Sequence, residues 1–398
     1  MNYRKAIAVA ALGALAFNAV QAAGITIVVT GATAFRKIAQ LRAADILAGE
    51  TAVGTINTDS YSLINGSIAL DGVTYSPVNI HFSLSGSKDG MLTLANGANV
   101  AKALASTEGV PGGSSNPKAQ VTFSDVFPET AGLDSNLFAQ AGTPQSRVVG
   151  VVPFVFYYNP AKSPGLTNVA NLTQRQVVKL FESSGVIPAS YFGGTTEDTV
   201  YLTGRDSLSG TRLCTDSCTY FAGTPANYAF GVLAGGTYTQ ATAATAASAA
   251  WVFNDASVNK GMSAYGGHSS GGSVKNDVTY GPYAIGYGGP SDALATGFSQ
   301  FLYNGVAFDA ANGVANVANG RYEVWGYEHV QYLPVGSAIA GAPDVNQVKL
   351  IEALKAAIRD DNYQKGIPAA TDYSSSRFVP LSSMKVVRSS DGGSLDLP

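Results

Sequence analysis

The chain has 398 residues, long enough for two domains of ordinary size with sizeable cores. Only 13% of its residues are charged and the formal net charge is −3, which excludes the basic surface that nucleic-acid binding requires. With 45 glycines and abundant Tyr, Ser, Thr and Ala, the composition is that of a weakly charged, loop-rich globular protein.

The N-terminus reads as a leader. Asn2-Tyr3-Arg4-Lys5 is a short basic start, an apolar run follows from Ala6 to Phe17, and Val20-Gln21-Ala22 places small residues at the two positions a signal peptidase reads. The apolar run is too short to span a bilayer. Residues 1–22 are therefore assigned to a cleaved secretory signal, and the mature chain to the periplasm or the extracellular space. No cysteine follows the cleavage point to carry a lipid, and no later stretch is continuously apolar for ~20 residues. A soluble mature chain without a membrane span is expected.

Ile25-Thr26-Ile27-Val28-Val29 predicts a buried strand, and Thr30-Gly31-Ala32-Thr33 turns it into a helix from Phe35 to about Leu47. Val78 to Phe82 predicts a second strand, ending in Ser85-Gly86-Ser87-Lys88-Asp89-Gly90 ahead of a helix from Met91 to Ala105. Val121-Thr122-Phe123 is a third strand, ending at Ser124-Asp125. Strand, polar loop and helix in repetition is the grammar of a parallel sheet with covering helices. Val148 to Tyr158 is a long apolar run, and residues 172–181 carry apolar side chains at helical spacing with Thr173 near the start. Val200-Tyr201-Leu202 is a strand leading into Arg205.

Arg205-Asp206-Ser207-Leu208-Ser209-Gly210-Thr211 carries the most chemistry. Arg205 supplies a forked pair of charge-assisted hydrogen bonds, and Ser209 and Thr211 add hydroxyls. Gly210 permits close backbone approach, and the free N–H groups of a helix starting at Arg212 point at the bound group. This set suits a small tetrahedral oxyanion, although the same residues would also serve as an ordinary helix cap beside a surface arginine. Cys214 and Cys218 follow, four apart, which on a helix puts them within reach of a local disulfide in an oxidising compartment. Free thiols are the alternative. His81, His268 and His329 are scattered, so no metal site is expected.

From Gly231 to Ala250 the Ala, Thr and Gly content predicts helix plus loop, and Ala264 to Ser273 predicts a loop. Ala284 to Tyr287 is a short strand, Arg321 to Leu333 alternates with a strand period, and Asn346 to Ile358 is an amphipathic helix. Several polar loops thus follow strand ends, where open α/β sheets collect ligands.

In order and content these segments resemble the phosphate-binding proteins of ABC importers, in the type II periplasmic solute-binding superfamily. Arg205-x-x-x-Ser209-Gly210-Thr211 resembles the family's anion-binding segment, Gly86-Ser87-x-x-Gly90 its second phosphate loop, and Ser124-Asp125 the position of its acceptor aspartate. The likeness is interrupted at Glu50 to Tyr75, Gly231 to Met262 and Gly288 to Gly320. It departs at the first loop, where Ala34 stands before Phe35 and the hydroxyl moves to Thr33, and at Asp206, which lies one residue from the expected acid position. The resemblance implies an α/β, two-lobed fold with a ligand cleft between lobes joined by two crossing strands. It implies lobe 1 from 23–152 and 328–398 and lobe 2 from 153–327, with Val148 to Tyr158 and Arg321 to Leu333 as hinges. The implied ligand set is Thr33, Ala34, Phe35, Ser87, Asp125, Arg205, Ser209, Gly210 and Thr211, around inorganic phosphate, with ABC importer membrane subunits as partners and no cofactor. An extracellular scavenger or surface protein on the same fold is the alternative. By themselves Asp125 also reads as a helix N-cap and Ser87 as a turn hydroxyl.

Phosphate at neutral pH keeps a proton that a buried Asp125 can accept, whereas sulfate offers that carboxylate only acceptor oxygens. Two enzymatic readings fail on context. Val29-Thr30-Gly31-Ala32-Thr33 and Tyr158-x-x-x-Lys162 mimic a short-chain dehydrogenase, but Ala34-Phe35-Arg36-Lys37 lacks the later glycines and Pro160 separates the pair. Gly267-His268-Ser269-Ser270-Gly271 fits a nucleophile elbow without the apolar strand that elbow needs before it.

Overall fold

The computed structural model describes residues 20–53, 60–100, 117–139, 147–183, 187–293, 297–308, 313–360 and 379–397. The assigned leader lies outside them except for Val20–Ala22, a strand running parallel to Val73–Ser83. Two sheets organise the rest. The larger has the order Ala48–Val53, Tyr61–Leu70, Val73–Ser83, Ile25–Gly31, Val121–Ser124, Trp325–Gln331, Val148–Pro153. At its centre Ile25–Gly31 pairs in parallel with both Val73–Ser83 and Val121–Ser124. Its β-branched run Ile25-Thr26-Ile27-Val28-Val29 suits a strand covered on both faces, and Ile27 and Val29 are fully buried. Helix Val345–Arg359, opened by an Asp344–Gln347 capping box, packs on this strand and on helix Arg36–Asp45. Helix Ser87–Ala95 packs on Val121–Ser124.

The smaller sheet has the order Ile187–Pro188, Thr199–Thr203, Ala284–Gly288, Val155–Tyr158, Ser299–Gln300. Helix Gly271–Tyr280 packs on Ala284–Gly288. Helix Gln174–Glu182, held at its start by a Thr173–Gln176 capping box, packs on Thr199–Thr203. The long apolar run therefore splits. Val148–Pro153 belongs to the larger sheet and Val155–Tyr158 to the smaller, with buried Phe154 alone between them. Phe154 N–H donates to Val324 O at 2.9 Å, and Tyr322 Oη donates to Phe154 O at 2.7 Å. The chain's return to the larger sheet at Trp325 is thus pinned against its departure. The result is two α/β lobes joined by two adjacent crossing segments.

The reading of Gly231 to Ala250 as helix plus loop is overturned. Tyr228–Ala234, Thr237–Gln240 and Ala250–Phe253 form a three-stranded antiparallel sheet. A two-residue turn at Gly235-Gly236, both with positive φ (57° and 76°), closes its hairpin. The aromatic side chains Tyr228, Phe230, Trp251 and Phe253 pack across this sheet and onto Tyr201, so aromatic pairing outweighs the helix propensity of the alanines. The helix expected from Met91 starts earlier and ends at Ala95; residues 101–105 of that expectation lie outside the described residues. Among the described residues no helix is long and apolar enough to cross a membrane.

Candidate functional site

Two nine-residue helices, one from each lobe, point their N-termini at one another. Ser87–Ala95 follows the strand Val73–Ser83 and Gly210–Cys218 follows Thr199–Thr203. The Lys88 and Asp89 N–H groups both donate to Leu208 O, at 3.1 and 3.4 Å. Gly210 lies so close to the other helix that a Cβ there would meet Ser87 Oγ, with Ser87 Cβ at 2.6 Å and Asp125 Cβ at 3.1 Å. Only a residue without a side chain permits that approach.

Asp125, just past the end of Val121–Ser124, is 2% exposed. Its N–H donates to Ser87 Oγ at 3.1 Å, a contact between residues 38 apart and so not a local turn. No helix begins after Asp125, so it is not an N-cap. Burial pushes its carboxyl up from the usual carboxylate range. A hydrogen bond with Glu328, the charge of Arg205 and the hydroxyls of Ser87 and Thr211 pull it back. One oxygen, Oδ1, has no protein partner.

Arg205 is 3% exposed and is not a surface residue. Its Nε donates to His268 O at 3.1 Å and its Nη2 to Ser269 O at 2.7 Å, which fixes the guanidinium plane against the 267–269 loop. Burial pulls its pKa down, opposed by the charges of Asp206, Asp125 and Asp292. The displaced acid of the arginine segment therefore still accompanies Arg205: Asp206 Oδ1 accepts from Leu208 N–H at 3.2 Å. Ser209 stands at the N-cap of Gly210–Cys218, yet its side chain makes no capping bond, and its buried Oγ has no protein partner. The cap reading of this segment does not describe it. Buried polar atoms are as a rule hydrogen-bonded, so Ser209 Oγ and Asp125 Oδ1 mark where a polar ligand would be held.

The structure thus brings Ser87, Asp125, Arg205, Gly210 and Thr211 together, with Ser209 beside them. Thr33 lines a cleft of about 780 Å³ along with His268, Ser269, Ser85, Asp206 and Leu208, the last three being neighbours in sequence of Ser87, Arg205 and Ser209, which do not themselves line it. Phe35 places its ring against Phe123 (centroids 5.6 Å apart) in the core, while Ala34 is exposed. Glu328 was not among the sequence candidates. It is fully buried, and its carboxyl stands next to that of Asp125.

The expected disulfide is not formed. Cys214 and Cys218 are free thiols with sulfurs 3.7 Å apart, against about 2.05 Å for a bonded pair. The Cys218 thiol is pushed down to about 6, chiefly by its hydrogen bond with Cys214 against the opposing effect of burial. Arg388 Nη1 also donates to Cys218 Sγ at 3.2 Å. In the Gly267–Gly271 loop, His268 Nε2 is bound to Asp277 Oδ2 at 2.6 Å, and Ser270 Oγ accepts from Ser273 N–H as a helix N-cap. Among the described residues no group of three or more His, Cys, Asp or Glu side chains could hold a metal ion.

No protein-family model matches the chain, and no curated protein matches it. Solved structures similar to it include an ABC-type phosphate transport receptor from Vibrio cholerae, at 14% identity over 82% of this chain and 98% of that one, with a TM-score of 0.41. A DING protein is 15% identical over 89% of this chain and 91% of its own, with a TM-score of 0.43. A phosphate-binding protein from Stenotrophomonas maltophilia is 15% identical over 90% and 91%, with a TM-score of 0.41.

Proposed function

We propose that this chain captures phosphate, or a closely similar tetrahedral oxyanion, in the cleft between its lobes. The observation that carries the reading is the convergence of one buried guanidinium, one buried carboxyl and two helix N-termini from opposite lobes. Arg205 supplies the positive charge, and the N–H groups at the start of Gly210–Cys218 add donors without further charge, while those of Lys88 and Asp89 at the start of Ser87–Ala95 bind Leu208 O and hold the two helix ends together. Ser87, Ser209 and Thr211 add hydroxyls. Asp125 is the discriminating element, because its free Oδ1 can accept a proton that phosphate retains and sulfate lacks. A buried acceptor facing a fully ionised anion would leave two acceptors unpaired. Nothing in the group is arranged as a nucleophile with its base, so binding without turnover is the role it fits. Delivery to the membrane subunits of an ABC importer, from a periplasmic location, is the physiological setting we infer for such capture.

Calorimetric titration of the purified protein with phosphate and with sulfate tests this. The expected result is saturable one-to-one phosphate binding with weaker sulfate binding, and a loss of about 2–5 kcal/mol in Arg205→Ala, the range for removing one partner of a buried charged group. Unchanged phosphate affinity in that variant would remove Arg205 from the site, and absence of binding by the wild type would end the reading.

A further inference from the structure

Glu328 has no place in the ligand set, yet it is 0% exposed. Its position is set by strand pairing. Trp325–Gln331 runs antiparallel to Val121–Ser124 with His329 opposite Ser124, so the next step in register sets Glu328 opposite Asp125. On its other side the same strand pairs with Val148–Pro153. There the register shifts between Glu328, opposite Gly150, and His329, opposite Val148. A bulge of this kind re-aims the side chains beside it. The two carboxyl groups are within hydrogen-bonding reach of one another.

Two ionised carboxylates can only accept, so neither could satisfy the other. Both Glu328 oxygens would then stand without a partner in the interior, which is prohibitive for a buried charge. The pair must hold a proton between them. Asp125 faces Arg205 and the hydroxyls of Ser87 and Thr211, all of which favour its ionised form. Among the described residues, the ionisable group that acts on Glu328 is Asp125, and burial with that neighbouring charge drives its carboxyl well above the usual range. The shared proton therefore belongs on Glu328.

We propose that Glu328 is a specificity-determining positioning residue, a neutral carboxylic acid whose proton is donated to Asp125, keeping Asp125 an ionised acceptor for the proton of the bound anion. This rests on the oxyanion reading of the cleft. The location of one proton decides the site's preference. With the proton on Glu328 the site offers an acceptor and selects a protonated oxyanion. With Asp125 protonated instead, it would offer a donor and admit a fully ionised one. Glu328 acts through Asp125 and does not itself touch the ligand.

The test uses the full mature protein in three forms: wild type, Glu328→Gln, whose amide still donates, and Glu328→Leu, which is of similar bulk and cannot. Phosphate and sulfate affinities are measured for each by calorimetry. The ratio of phosphate to sulfate affinity is expected to stay within about threefold of wild type in Glu328→Gln. In Glu328→Leu it is expected to fall by about tenfold or more, the worth of one hydrogen bond to a charged group. General loosening of the fold would weaken both anions alike and leave the ratio unmoved. In parallel, infrared difference spectra of ligand-free wild type against Glu328→Gln are expected to show the loss of a protonated-carboxyl C=O band at neutral pH. A wild-type ratio in Glu328→Leu, or no lost band in Glu328→Gln, overturns the proposal. Wild-type protein that binds neither anion overturns the oxyanion reading and the specificity role together, and the infrared band then reports separately whether Glu328 carries the proton.

Discussion

Gly210→Ala probes the meeting of the two lobes at a single atom. The added methyl would lie 2.6 Å from Ser87 Cβ and 3.1 Å from Asp125 Cβ, where carbon atoms at rest sit ~3.5–4.0 Å apart. Relief requires a movement of roughly 1 Å, and neither side yields easily, since Ser87 begins a helix and Asp125 directly follows a strand. Forcing a methyl group into a filled space costs about 1–3 kcal/mol. The contact runs between lobes, so the cheapest relief is to hold them apart. The expense then falls on closure around a ligand and not on either lobe's own core. Phosphate affinity should fall by about 5- to 150-fold, while the thermal midpoint of the ligand-free protein moves by less than about 2 °C. Calorimetric titration and a thermal melt on the same preparation decide the matter. Wild-type affinity in a folded Gly210→Ala protein would refute the claim that a ligand is held where these two helix ends meet. So would a large drop in the thermal midpoint with affinity intact.

Three further outcomes are expected. Thr173→Ala removes the capping box of Gln174–Glu182, so chemical denaturation should show a loss of about 0.5–2 kcal/mol with phosphate affinity unchanged; an affinity loss would mean this helix is coupled to the cleft. His329 is pushed down from 6.5 to about 4 by burial, so the unfolded chain binds the extra proton first as pH falls. Its contribution is complete above pH 6.5 and is lost as pH falls toward about 4, by ~3 kcal/mol over the whole window. The stability of His329→Asn should fall less steeply than that of wild type across this window, and parallel curves would contradict the assignment. In the reduced protein, thiolate absorbance of Cys218 should titrate near 6 and move upward in Cys214→Ala, which removes the chief cause of the depression; an unmoved midpoint would show that another group sets it.

Much of the site was legible because its residues cluster in short segments at strand ends. Ser87, Asp125 and Arg205 each follow a strand that the apolar pattern marks, and the close approach expected at Gly210 is present, although only the folded chain displays that it is made to Ser87 and Asp125. Glu328 was not legible. Glu328 lies within Arg321 to Leu333, read as alternating, and alternation is ordinarily the mark of a strand with one wet face. Here all seven residues of Trp325–Gln331 are buried, because the strand lies inside the larger sheet, and Glu328 stands next to Asp125. Polarity period reports which side chains share a face, not what that face meets. The sheet inserted after Tyr228 was missed for a different reason. Its Gly235-Gly236 turn was present in the sequence, but the alanines of 241–250 drew the reading toward helix. The pairing of Cys214 and Cys218 is expected from helical spacing and an oxidising compartment, and spacing sets proximity but not oxidation state.

The most direct measurement is an experimental structure of the protein crystallised with phosphate. The account predicts one anion between the lobes, with Arg205 donating to it, an Asp125 oxygen within hydrogen-bond distance of one of its oxygens, and the N–H groups at the start of Gly210–Cys218 directed at it. An anion bound elsewhere, or one in the cleft without contact to Arg205 and Asp125, would contradict it.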